Sequence, residues 1–154
     1  MAKKTSTNKL IVNRRARFDY KIHDQIWTGI VLSGPEVRAA RDGHVSLRGA
    51  YVTVKNGELW LTNASFTLPG QAGTRETVVD TTSRKLLAKK SEISKFVEAK
   101  DQGLTIVPLA MSNQAKYIKV EIATAKGKKL YDKRETIKQR DLDREQKRLN
   151  SGRN

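Results

Sequence analysis

Ala50-Tyr51-Val52-Thr53-Val54-Lys55-Asn56-Gly57-Glu58-Leu59-Trp60-Leu61-Thr62 decides the fold class. Two runs rich in β-branched, aromatic and apolar residues flank Asn56-Gly57. A two-residue type I′ turn needs positive φ at both central positions, and Asn-Gly supplies it at least cost. The stretch therefore predicts an antiparallel hairpin.

Working back from it, Val45-Ser46-Leu47 reads as extended. Pro35–Arg41 reads as a short helix, entered through Ser33-Gly34-Pro35 and ended by Asp42-Gly43. Val37 and Ala40 would face the core, with Glu36, Arg38 and Arg41 partly outward. Phe18–Leu32 reads as a strand pair or one long bent strand, with Gly29 marking a bulge or bend. Asn13-Arg14-Arg15-Ala16-Arg17 places three guanidinium groups within four positions, suited to phosphate oxygens. Leu10–Val12 is a short apolar entry.

Forward of the hairpin, Pro69–Thr74 is a loop with few packing residues and is expected to be mobile. Thr77–Asp80 is a short strand or part of that loop, and Ser83–Lys90 a short basic helix or turn. Ser91–Lys100 reads as a helix capped by Ser91, with Ile93, Phe96 and Val97 on one face and Gly103 as its stop. Leu104–Met111 and Tyr117–Ala123 read as strands. The second alternates cleanly, Ile118, Val120 and Ile122 on one face; Pro108 in the first implies an edge or a bulge. About six short strands without βαβ alternation predict a small, mostly β barrel with short helices at its ends.

Charge divides the chain. Residues 1–17 hold six basic and no acidic residues, and residues 126–154 hold eleven basic and five acidic. The middle is near neutral, with 14 basic and 11 acidic residues. A formal charge of +15 placed mainly on two extensions favours a polyanionic partner. The organisation expected is a flexible basic arm over 1–9, an RNA-binding barrel over 10–125 and a basic tail over 126–154. After Leu130 the tail's only aliphatic residues are Ile137, Leu142 and Leu149, too few for a packed helix face. Its composition nevertheless favours helix. It is expected to be disordered when free and helical on a partner.

The composition speaks against several chemistries. There is no cysteine, so thiolate metal sites, disulfides and thiol nucleophiles are ruled out. Gly127-Lys128-Lys129 lacks the preceding glycine of a phosphate-binding loop, and no metal-ligand spacing is visible. His23 and His44 have no readable catalytic partners. No apolar run approaches a membrane span, and the basic N-terminus lacks the apolar region of a signal peptide. A non-catalytic, cytoplasmic RNA-binding protein without cofactor or metal is expected. Phe18, Tyr20 and Tyr131 are candidates for stacking on unpaired bases. Only 6% of residues are aromatic, so shape and backbone readout should outweigh base readout.

Several segments in order carry a family resemblance: Asn13–Tyr20, Gly34–Arg38, Arg84–Leu87, Lys116–Ile122 and Ala125-Lys126-Gly127-Lys128-Lys129-Leu130-Tyr131-Asp132-Lys133-Arg134-Glu135. Together they resemble the small protein B (SmpB) family, the SsrA-binding proteins of bacteria. The resemblance implies an oligonucleotide-binding-like barrel and a role in trans-translation, the rescue of stalled ribosomes. The body would bind the tRNA-like domain of transfer-messenger RNA (tmRNA) as a monomer, in tRNA mimicry, through Asn13, Arg14, Arg15, Glu36, Arg38, Arg84, Lys85 and Leu86. An acidic Glu36 on an RNA face either accepts from bases and riboses or holds a neighbouring arginine. The tail would enter the vacant mRNA channel of the small subunit and meet decoding-centre rRNA through Gly127, Lys128, Lys129, Tyr131, Asp132, Lys133 and Arg134. Tyr131 would stack on a base there, and Lys138, Arg140, Arg144, Lys147 and Arg148 would follow the channel phosphates. The runner-up is a general ribosomal or RNA-chaperone protein. A nuclease is the outsider.

Overall fold

The structure, a computed structural model, describes residues 10–70, 72–73, 75–113 and 116–152. The basic arm over 1–9, two residues of the loop after Pro69, and residues 114 and 115 between the last two expected strands lie outside these.

The hairpin is as expected. β4 (Tyr51–Lys55) pairs antiparallel with β5 (Glu58–Thr62) in the register Val52↔Leu61 and Val54↔Leu59. Asn56 and Gly57 have φ of 52° and 71°. Val52, Leu59 and Leu61 are buried, as period-two alternation demands.

The hairpin belongs to a seven-stranded sheet. Its other strands are β1 (Ile11–Val12), β2 (Tyr20–Ile30), β8 (Arg84–Leu87), β9 (Thr105–Ser112) and β10 (Lys119–Gly127), in the order β1-β9-β10-β2-β8-β5-β4. The sheet curls until β4 meets β9 at one residue pair, Val52↔Ile106. It is thus a ring closed by a single pairing, more open than the regular barrel expected. A smaller sheet of β3 (Val45–Ser46), β6 (Ser65–Pro69) and β7 (Thr77–Asp80) lies beside it.

Phe66, Leu59, Leu61, Leu86, Ile106, Met111, Val120 and Ile122 fill the ring, each almost fully buried. Burying one such side chain contributes about 1.5–3 kcal/mol. Helix α2 (Gly34–Asp42) adds Ala39 and Ala40 to this core, and α3 (Lys90–Asp101) adds Phe96. α2 ends as expected on Gly43, at φ 80°.

The structure revises several local readings. Phe18–Leu32 divides: Arg14–Asp19 is a short helix, α1, and β2 is one long strand. Ser83–Lys90 is neither helix nor turn but contains β8, because Arg84 and Leu86 point inward in alternation. α3 is capped not by Ser91 but by Glu92, whose Oε2 accepts from the Lys89 N–H at 2.9 Å. Gly29 is not at a bulge; the irregularity of β2 against β10 falls nearer its start. Gly29 instead meets β8 closely, where a Cβ would come within 3.2 Å of Leu87 Cβ. Pro108 does sit at a bulge, where the β9–β10 register shifts.

The tail is the helix α4 (Leu130–Ser151), reached directly from β10. The structure describes it as a helix as far as Ser151. It has no buried residue, as its composition dictates.

Candidate nucleic-acid interface

Two of the residues expected to face RNA are frame in the molecule. The first is Asn13, 4% exposed. Its Oδ1 accepts from Ala16 N–H at 3.2 Å and caps α1. Its Nδ2 donates to Leu47 O at 3.0 Å and Pro108 O at 2.9 Å. One side chain thus fixes α1 to both β9 and the segment after β3.

The second is Arg84, also 4% exposed. Its Nη2 donates to Glu36 Oε1 at 3.3 Å, and its Nε lies 3.3 Å from Oε2 as an ion pair without hydrogen-bond alignment. Nη1 donates to Thr82 O at 2.6 Å, and the guanidinium lies 3.9 Å from the centre of the Phe66 ring. Asp80 stands 3.6 Å away. Hydrogen bonds from the Thr82 hydroxyl and N–H, with the charge of Arg84, hold the Asp80 carboxyl below its ordinary range despite some burial. Glu36 Oε2 also accepts from Ser33 N–H at 3.1 Å, closing the start of α2. Of the two roles left open for Glu36, the structure shows it holding an arginine, and that arginine is Arg84. Leu86 is core, 2% exposed.

Arg14, Arg15 and Arg38 reach solvent, and Lys85 is half-exposed with its Nζ 2.8 Å from Glu58 Oε1. Arg15 Nε donates to Asp19 Oδ2 at 2.9 Å. The α1 group and the Glu36–Arg84 pair share no hydrogen bond or ion pair among the described residues.

The tail residues split in the same way. Gly127 ends β10 opposite Tyr20. Lys128 N–H donates to Asp19 O at 2.8 Å, and its Nζ donates to Thr136 Oγ1 at 3.3 Å. Asp132 Oδ2 accepts from Lys129 N–H at 3.3 Å and caps α4. Lys133 Nζ lies 3.2 Å from Asp19 Oδ1, and the Arg140 guanidinium 5.5 Å from the centre of the Phe18 ring. Burial would raise the Asp19 carboxyl, but the hydrogen bonds and charges of Arg15 and Lys133 outweigh it and lower it. Tyr131, Arg134 and Lys138 are exposed.

Sequence reasoning missed one surface. On the outer face of the main sheet, Gly29 pairs with Lys119 on one side and Leu87 on the other, with Trp27 beside Glu121. Trp27, Val31, Leu87 and Tyr117 are all about half-exposed or more. The signal lay in β2, where Thr28 and Ile30 turn inward and leave Trp27 and Val31 for the opposite face. The result is an apolar, aromatic patch edged by lysines, suited to unpaired bases.

Residues 10–151 match the family model described as "SmpB protein". The chain belongs to the SmpB family. An SsrA-binding protein of Chelativorans sp. is 43% identical, covering 97% of this chain and 97% of that protein. One from Coprothermobacter proteolyticus is 48% identical over 90% of this chain and 94% of that protein. A solved structure described as "tmRNA-SmpB: a journey to the center of the bacterial ribosome" matches with TM-score 0.61 and 37% identity, covering 79% of this chain and 85% of that one. The SmpB fold therefore extends to this mostly β ring with its short helices.

Proposed function

We propose that this chain is a non-catalytic RNA-binding adaptor. It binds the tRNA-like domain of tmRNA and delivers it to stalled ribosomes, with the tail helix entering the vacant mRNA channel. The observation that carries this is the pairing of a folded, near-neutral body with a tail of eleven basic and five acidic residues over 126–154, whose 22-residue helix has no buried residue. Such a tail adds nothing to the core, and its charge suits a polyanion. Family membership and the names of the relatives, SsrA-binding proteins, supply the identity of the RNA.

On the body, Arg14, Arg15, Arg38 and Lys85 contact RNA directly, together with the Trp27–Leu87 patch. Asn13, Glu36, Arg84 and Leu86 act by placing those contacts. On the tail, Lys128, Lys129, Asp132 and Lys133 set the helix start, and Tyr131, Arg134, Lys138 and Arg140 meet rRNA. The adaptor works in the cytoplasm as a monomer on its RNA, without cofactor or metal. No helix among the described residues is long and apolar enough to cross a membrane.

The test is competition binding at about 150 mM salt, since affinity without stated salt is uninterpretable. The tRNA-like domain competes against ordinary tRNA and an unrelated hairpin. Preference for the tRNA-like domain supports the adaptor. Equal binding with a steep salt slope would overturn it in favour of a general RNA chaperone.

A further inference from the structure

The first residue of α1 and the turn after β3 frame a groove of about 460 Å³. That volume suits a small ligand, since such pockets run from about 300 to 1,000 Å³. Its walls include Val12, Phe18, Val45 and Leu47, and its rim carries Arg14, Arg15 and Arg48. Val12 is 43% exposed, an apolar side chain left facing open space.

The rim is built rather than incidental. Ala50 N–H donates to Leu47 O at 3.0 Å, closing a tight turn with Arg48 and Gly49 at its centre, and Gly49 takes φ 75°. Asn63 Nδ2 holds Gly49 O at 3.2 Å. The buried Asn13 Nδ2 donates to the same Leu47 O. Arg14 follows Asn13 and Arg48 follows Leu47, so one buried hydrogen bond sets the two arginines across the groove from each other. Arg15, also on the rim, already has a carboxylate partner in Asp19. Arg14 and Arg48 have no side-chain partner among the described residues.

We propose that this groove seats one unpaired nucleotide of RNA. Arg14 and Arg48 hold its phosphate, and its base lies on the apolar wall of Val12 and Phe18. Two guanidinium forks carried on a held backbone match phosphate geometry, and a splayed base finds an apolar face beside them. Arg48 lies outside the residues that the family motifs mark. The inference rests on the RNA-binding reading above and deepens it.

The full chain with Arg48→Ala, Arg48→Lys or Arg14→Ala is titrated with the tRNA-like domain across a salt series, after thermal melts confirm folding. Arg48→Ala should weaken binding, and the slope of log affinity on log salt should become shallower by about 0.7–0.9, the share of one phosphate. Arg48→Lys should restore the slope. A wild-type slope in Arg48→Ala would overturn the groove as a phosphate site. That outcome is separable from failure of the adaptor reading, which shows as loss of RNA preference in the wild type. Uridine 5′-monophosphate and inorganic phosphate are then compared by amide chemical shifts at Val12, Ser46 and Arg48. Larger shifts with the nucleotide are expected; equal shifts would remove the base from the proposal.

Discussion

Lys133 on the first turns of α4 reaches the carboxylate of Asp19, the last residue of α1, at 3.2 Å. The other oxygen of that carboxylate holds Arg15 at 2.9 Å. One acidic side chain therefore ties the tail to the body and holds Arg15, which also borders the groove that Arg14 lines. Because the Asp19 carboxyl is lowered from its ordinary 3.8, the pair stabilises the folded form above that value. The contribution is lost as pH falls through the lowered folded value. The pairs are partly exposed, so each contributes about 0.2–1 kcal/mol. Asp19→Asn should lower stability modestly at pH 7, and the difference from wild type should vanish at strongly acid pH. Urea titrations at both pH values check this; an undiminished difference in acid would contradict it.

Arg84 and Glu36 make the opposite case, a pair inside the protein. Removing one partner of a buried pair leaves an uncompensated charge and costs about 3–5 kcal/mol. Arg84→Ala should fall in that range, with further loss from the emptied contact on Phe66. Adding Glu36→Gln should recover part of it. Urea unfolding of the two single variants and the double variant measures the coupling; strict additivity would mean that the pair does not act as a unit.

How far the sequence carried the reading depended on where each partner sat. The Asn56-Gly57 turn was legible because its chemistry is complete within four residues. Glu36 was not, because its partner lies 48 residues away. β8 was misread because Arg84 and Lys85 look like surface charge, and only the fold shows one of them inside. The family motifs marked Asn13, Arg84 and Leu86 beside Arg14 and Lys85 without separating frame from contact. That distinction is burial, which a linear motif does not carry. Arg48 lay outside every motif and became visible only when the Asn13–Leu47 hydrogen bond placed it opposite Arg14.

Frame and contact should also separate in binding. Asn13→Ala removes the α1 cap and leaves Leu47 O and Pro108 O without this donor, at about 1–3 kcal/mol of stability. It removes no charge, so it should lower RNA affinity while leaving the salt slope as in wild type. Arg14→Ala should leave stability within about 0.5 kcal/mol and make the slope shallower by about 0.7–0.9. Paired melts and salt series distinguish the two. A shallower slope in Asn13→Ala would show that α1 as a whole had left the RNA.

Truncation should be placed by the structure. β10 continues through Gly127, and Lys126 and Gly127 pair with Lys21 and Tyr20. A chain ending at Lys129 should keep its body fold and its affinity for the tRNA-like domain within about a few-fold, yet lose ribosome rescue. A chain ending at Ala125 should in addition lose stability. Rescue of a stalled translation reaction, read beside RNA affinity, tests the division of labour. Loss of RNA affinity in the longer truncate would show that the tail itself carries RNA binding by the body.

The helix α4 should be unequal along its length. Its start is held by Asp132, by the Lys133–Asp19 pair and by Arg140 over Phe18. Beyond Arg140 the side-chain hydrogen bonds among the described residues are local, Gln139 to Asp143 at 3.2 Å and Ser151 to Arg148 O at 3.1 Å. Local pairs of that kind contribute only a few tenths of a kcal/mol each, and most helix stability in proteins comes from packing an apolar face, which this helix lacks. A peptide of residues 126–154 should therefore show little helix by circular dichroism. In the full chain, amide exchange should be slower over 133–140 than over 141–151. A stable helix in the peptide, or uniform protection along α4, would mean that the tail needs neither the body nor RNA to fold.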